Sequence, residues 1–195
     1  MSCASHSGAA YSCMLILELI HYTPFIQLLL QNYLTGSWSM NKKVLDVCCG
    51  PRGMWFDKHD DRALYLDKRC ETHTNKYPSG DKSLTISPDI IGDFTDIKQP
   101  DNYFYLVVFD PPHIKRNALG EITKRYGNLT GDWEEMIRQG FKECFRVLKP
   151  NGTLIFKWNE VQFPIKEILK LTEHKPLFGH KSGKKMQTHW VTFIK

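Results

Sequence analysis

From Lys43 onward, short apolar runs alternate with polar or helically patterned stretches. That alternation predicts strands joined by crossovers, and so a largely parallel sheet with helices on both faces. Val44–Val47 reads as a short buried strand and Ala63–Asp67 as a second, while Ile86–Gly92 contains a third, interrupted by Pro88. Tyr105–Asp110 is the continuous apolar run that a central parallel strand needs. Trp133, Met136, Ile137, Phe141, Phe145 and Leu148 recur at helical spacing. A helix over Trp133–Leu148 follows, with Asp132 as its N-cap and Pro150-Asn151-Gly152 as its stop. Thr153–Trp158 is expected as a fifth strand, and Pro164–Leu171 as a short helix with Pro164 in its first turn. Pro176–Phe178 and His189–Ile194 are the last two strands, joined through polar Gly179–Thr188 as an antiparallel pair closing the sheet. Between Asp67 and Leu84 no apolar stripe exists, so a loop or stunted turn is expected where a doubly wound fold normally places a helix.

Composition changes this picture little. The 195 residues suffice for one compact α/β domain, and 42% hydrophobic with 24% charged residues allows a buried core. Residues 1–39 are set apart as an N-terminal extension. They read either as an amphipathic helix leading into a domain over 40–195 or as sequence upstream of a start at Met40. Glu18, His21, Pro24 and Gln27 interrupt its apolar stretch, which argues against a membrane span. Six cysteines show no zinc-type spacing, so no metal is expected, and reduced thiols point to the cytoplasm.

Charge adds a partner. The net charge of +5 leans toward an acidic ligand, and the basic residues cluster. Lys166, Lys170, Lys175, Lys181, Lys184, Lys185 and Lys195 crowd the C-terminal segment, and Lys115, Arg116, Lys124 and Arg125 form a second group. Both are expected to contact phosphates of DNA or RNA.

Two corners carry chemistry. Asp46 ends the first strand and is followed by Cys48-Cys49-Gly50, small residues that let a backbone approach a ligand closely. A Gly-x-Gly-x-x-Gly pattern is absent, which disfavours a nicotinamide cofactor. Asp67 ends the second strand, where a carboxylate takes ribose hydroxyls, and Asp93-Phe94 offers an acid and a ring for a base. The second corner, Asp110-Pro111-Pro112-His113, ends the fourth strand. Its prolines fix the backbone and leave carbonyls free, so that Asp110 and the Pro111 carbonyl could receive both hydrogens of an amino group. Lys157 interrupts the apolar fifth strand and needs a reason to be there.

From roughly Lys43 to Lys195 the chain resembles the class I S-adenosylmethionine-dependent methyltransferases, through Asp46-Val47-Cys48-Cys49-Gly50, Asp67, Asp93 and Asp110–His113. The resemblance implies a single Rossmann-like domain with a mostly parallel seven-stranded sheet. It also implies S-adenosyl-L-methionine held by Asp46, Cys48, Cys49, Gly50, Asp67, Asp93, Phe94 and Asp110. Asp110-Pro111-Pro112-His113 is similar to the Asp/Asn-Pro-Pro-aromatic motif of nucleic-acid amino-methyltransferases, with His113 where those carry Tyr, Phe or Trp. Phage-borne enzymes with a Cys-Cys-Gly turn and Asp-Pro-Pro-His look closest, which implies work in a host-cell cytoplasm. The expectation is methylation of an amino nitrogen on a base, with Asp110, Pro111, Pro112 and His113 at the reacting centre. Asp110 with Lys157 is also similar to part of the Lys-Asp-Lys-Glu set of ribose 2′-O-methyltransferases, which keeps RNA ribose methylation open. Methylation of a small molecule or protein, and a non-enzymatic cofactor-binding role, remain as further alternatives.

Overall fold

A computed structural model describes residues 42–76, 78, 80–115 and 121–195. The extension expected over residues 1–39 lies outside the described residues, and so does Arg116. Among the described residues nine strands form in chain order: β1 (Val44–Asp46), β2 (Ala63–Asp67), β3 (Glu71–Asn75), β4 (Lys82–Ile86), β5 (Ile90–Ile91), β6 (Phe104–Phe109), β7 (Leu148–Asn159), β8 (Phe178–Ser182) and β9 (Thr188–Ile194). Three helices join them there: α1 (Glu121–Tyr126), α2 (Trp133–Val147) and α3 (Ile165–Ile168), the last running into a 3-10 turn at Leu169–Leu171.

Seven strands make one sheet in the order β5-β2-β1-β6-β7-β9-β8. All neighbours from β5 to β7 run parallel, and β9 pairs antiparallel with both β7 and β8. Strand order reverses between β1 and β6, so the chain leaves their carboxyl ends in opposite directions and opens a crevice there. The register sets Asp46 beside Val108 across that gap, and the Val47 amide donates to the Val108 carbonyl at 3.0 Å. Both corners singled out in the sequence therefore open onto one crevice.

The core follows from strand alternation. Leu45, Val107, Phe109, Leu154, Phe156, Trp158 and Phe193 belong to one cluster with Ile137, Phe141 and Cys144 of α2. Phe141 is its hub, with ring centroids 5.4 Å from Phe109 and 4.8 Å from Phe156. A smaller cluster of Cys49, Ala63 and Tyr65, with Val44 and Trp55 against it, lies apart from the first. Asp132 caps α2 by accepting from the Glu135 amide at 3.2 Å, and Glu134 and Glu135 in the first turn suit the positive end of the helix.

Several boundaries differ from the sequence expectation. The stretch after Asp67 is not a plain loop: β3 and β4 form a separate antiparallel hairpin, supported by the pairs Thr72–Thr85 and Thr74–Ser83. The third main-sheet strand shrinks to Ile90–Ile91, because Pro88 lacks the amide that a continuous ladder would need. Among the described residues, the connection from Val47 to Arg62 carries turns and no helix. Strand β7 begins at Leu148, before the expected helix stop, with a register shift opposite Phe104 and Leu106 that absorbs Pro150. Strand β8 starts at Phe178 and runs through residues expected to be a connection.

Candidate active site

The turn after β1 is held from below. Asp46 is fully buried; Trp55 Nε1 donates to its Oδ2 at 2.7 Å and the Cys48 amide to its Oδ1 at 3.3 Å. Burial pushes its carboxyl from the ordinary 3.8 up to about 7, against those two hydrogen bonds. Asp46 thus shapes the turn and does not line the cavity above it. Cys48, Cys49 and Gly50 do line it. Burial also raises both thiols, Cys49 to about 12, so neither is poised as a thiolate nucleophile. Gly50 has φ +48°, a backbone state that side chains resist, and its amide donates to Asp67 Oδ2 at 2.9 Å.

Asp67 lies at the cavity wall but is not free. Arg69 folds back on it, with Nε 3.1 Å from Oδ1, and its amide donates to the same oxygen at 3.0 Å. The guanidinium also donates to the carbonyls of Lys124 and Arg125 at 3.0 and 3.5 Å, fastening α1 across the cavity mouth. The Arg125 carbonyl lies where a Cβ on Gly50 would meet it at 3.2 Å. The sequence did not mark the reach of Arg69 to α1, because those partners are backbone carbonyls 55 and 56 residues away. Of the second acidic pair, Phe94 borders the cavity while packing on Phe109 at 5.3 Å. Asp93 does not line it; its carboxylate accepts from the Thr95 amide and hydroxyl at 3.0 and 2.9 Å.

At the second corner, Lys157 Nζ donates to Asp110 Oδ2 at 2.6 Å, with side-chain exposures of 19% and 6%. Asp110 Oδ1 is buried without a hydrogen-bond partner among the described residues. Lys157 stands over the rings of Tyr126 and Trp190, 5.8 and 5.4 Å from their centroids. Trp190 reaches this position because it pairs with Lys157 across β7 and β9, a register legible only once the antiparallel pair is known. His113 lies 5.9 Å from Tyr126 and 6.1 Å from Trp158, between rings. Burial lowers its pKa despite the nearby Asp110 carboxylate, so the imidazole is neutral at physiological pH. Pro112 is buried, and a Cβ on Gly127 would meet its Cγ at 3.2 Å, which packs the double-proline corner against the end of α1.

Two cavities meet at this pair. The first, about 330 Å³, runs from Cys48–Pro51 past Asp67 and Phe94 to Asp110. The second, about 340 Å³, is lined by Asp110, His113, Tyr126, Lys157, Asn159, Gln162 and Thr188. Asp110, Tyr126 and Lys157 belong to both. One ligand can therefore be seated on each side of the Asp110 carboxylate. Tyr126, Gln162 and Thr188 were missed in the sequence, since nothing local marks them.

The expected phosphate contacts divide. Lys166, Lys170, Lys175, Lys181, Lys184 and Lys185 are exposed. Lys170 pairs with Glu167 and Lys181 with Glu160. Lys195 is committed elsewhere, donating to the Leu148 carbonyl and Asn102 Oδ1, both at 2.7 Å.

Neither a protein-family model nor a curated protein matches the sequence. Solved structures do. The PH0226 protein of Pyrococcus horikoshii is similar over 90% of this chain and 92% of its own, with 15% identity and a TM-score of 0.50. A TehB-like SAM-dependent methyltransferase of Corynebacterium glutamicum is similar over 97% and 98%, at 13% identity and a TM-score of 0.48. A SAM-dependent methyltransferase of Leishmania major is similar over 85% and 70%, at 13% identity and the same score of 0.48. At such identities likeness is one of architecture. With its β5-β2-β1-β6-β7-β9-β8 order and antiparallel β9, the chain has a Rossmann-like α/β fold, shared with the PH0226 protein.

Proposed function

We propose that this chain is an S-adenosylmethionine-dependent methyltransferase acting on an amino nitrogen of a nucleic-acid base. The observation that carries this reading is the buried Oδ1 of Asp110, unpartnered among the described residues, at the junction of two ligand-sized cavities.

The first cavity fits the cofactor by its chemistry. Cys48–Gly50 is a close-approach turn, Gly92 and Phe94 supply an apolar wall, and Asp67 and Asp110 supply acceptors. Asp67 would hold ribose hydroxyls once Arg69 yields an oxygen, and Phe94 would border the adenine. When bound, S-adenosylmethionine supplies a methyl group made electrophilic by its sulfonium.

The chain's own residues do the rest. Asp110 Oδ1 accepts one hydrogen of the amine and the Pro111 carbonyl the other, which turns the nitrogen lone pair toward the first cavity. The Lys157 ion pair occupies Oδ2 and so fixes the carboxylate plane. The neutral His113 and the Tyr126 ring flank the second cavity and give a planar base surfaces to lie against. Phosphates would be met by Lys115, Lys124, Arg125 and the exposed C-terminal lysines. The free thiols of Cys48, Cys49, Cys70 and Cys144 suit a reducing cytoplasm.

Ribose 2′-O-methylation is the second reading, favoured by the same Lys157–Asp110 contact. In that contact Lys157 spends a hydrogen on Asp110, which leaves it a donor in the site; this weighs against its acting as the base.

The test supplies labelled cofactor with duplex DNA, single-stranded DNA, RNA and small-molecule extracts, and identifies the product by nucleoside mass spectrometry. Label on an exocyclic amine that disappears in Asp110→Ala bears the reading out. Label on a ribose oxygen, or on no nucleic acid, overturns it.

A further inference from the structure

The second cavity has two unlike walls. On the β6 side lie the Asp110 carboxylate, whose buried Oδ1 has no hydrogen-bond partner among the described residues, and the His113 ring. The other wall, from β7, the turn after it, and β9, carries Asn159, Gln162 and Thr188. Its hydrogen bonds define what it can offer. Gln162 Oε1 accepts from the Lys115 amide at 2.6 Å, so its carbonyl is engaged and its amide hydrogens remain. Asn159 Oδ1 accepts from the Val161 amide at 3.1 Å, and Nδ2 donates to Thr188 Oγ1 at 3.0 Å. That leaves Asn159 a second amide hydrogen and the Thr188 hydroxyl its own. Lys157 uses one hydrogen on Asp110 and retains two. With one lone pair of each amide oxygen already taken by a backbone amide, this wall offers more free hydrogens than free lone pairs and is donor-rich.

We infer that the second cavity selects an amine whose ring also carries lone-pair acceptors, with Gln162, Asn159 and Thr188 as its specificity-determining residues. The amino group faces Asp110, and ring nitrogens or a ring carbonyl face the donor wall. An aminopyrimidine edge has that pattern; an aromatic amine without ring heteroatoms has the amine alone and leaves the donors to water. The inference deepens the amino-methylation reading and rests on it.

The test uses two small probes and the full chain. Binding of 4-aminopyrimidine and of aniline is followed by NMR titration, with and without S-adenosylhomocysteine, whose own affinity is measured first by calorimetry. The expected result is preference for 4-aminopyrimidine by roughly three- to tenfold, the worth of one or two partly exposed hydrogen bonds. Gln162→Leu and, separately, Thr188→Val should each shrink the ratio of 4-aminopyrimidine to aniline affinity. Gln162 is exposed and outside regular structure, so its variant tests the wall with little risk to the fold. Equal binding of the two probes, no binding of either, or an undiminished preference in both variants overturns the inference. Absence of affinity for S-adenosylhomocysteine instead removes the methyl-transfer reading, and the two failures are thus told apart.

Discussion

Asp46 has no solvent contact and a carboxyl raised to about 7, whereas in the unfolded chain it titrates near 3.8. The folded state therefore holds its proton more tightly. Its contribution to stability is complete below about pH 4 and lost as pH rises through about 7. Urea midpoints of the native chain should therefore be lower at about pH 7.5 than at about pH 5, and Asp46→Asn should flatten that dependence. At the second corner, Asp110→Ala should abolish transfer while leaving cofactor affinity within a few-fold. Lys157→Met should retain amine methylation within roughly tenfold, about 1.4 kcal/mol of transition-state stabilisation. A ribose methyltransferase would lose far more, so single-turnover rates of the two variants separate the readings. At this scale the sequence marked two corners that open onto one crevice, but not their contacts. Asp67, legible as an acid ending a strand, has its oxygens taken by Arg69 and Gly50, and Asp46 holds the turn from beneath.

Among the elements, α2 was legible because its apolar period, cap and stop agree with one another. Gly140, inside it, shows what periodicity does not reveal. A Cβ there would stand 2.7 Å from both Phe109 Cζ and Phe94 Cδ2. Gly140→Ala should overpack the core at a cost of roughly 1–3 kcal/mol, against a gain of about 1 kcal/mol in helix propensity. Because Phe94 borders the first cavity, the same variant should weaken cofactor binding; urea denaturation and calorimetry check the two effects. The hairpin β3–β4 was not legible although Thr72, Thr74 and Thr85 are good strand residues, because a doubly wound fold leads one to expect a helical stripe at that point. Among the described residues its strands pair only with each other, so no main-sheet alternation marks them.

For the whole molecule, strand alternation and the two corners sufficed to place a crevice at the reversal of strand order between β1 and β6. The donor wall of the second cavity was not legible, since residues after β7 and at the start of β9 meet there only through antiparallel pairing. The exposed basic residues act at this scale as well. Nucleic-acid affinity, as proposed, should fall linearly with salt on logarithmic axes. Charge reversal at Lys175, Lys184 and Lys185 together should reduce that slope by about one for each phosphate no longer neutralised. An unchanged slope would remove these lysines from the interface.

Arg69 also sets a tempo. Its guanidinium joins Asp67 to the carbonyls of Lys124 and Arg125, so a ribose bound as proposed would compete with a bond already made. Under that proposal cofactor uptake should have two stages, a fast encounter and a slower exchange of partners on one carboxylate. In stopped-flow mixing, the rate of the intrinsic tryptophan signal, to which Trp190 on the cavity wall contributes, should approach a ceiling as cofactor concentration rises. Arg69→Ala should lift that ceiling, trading a latch for speed.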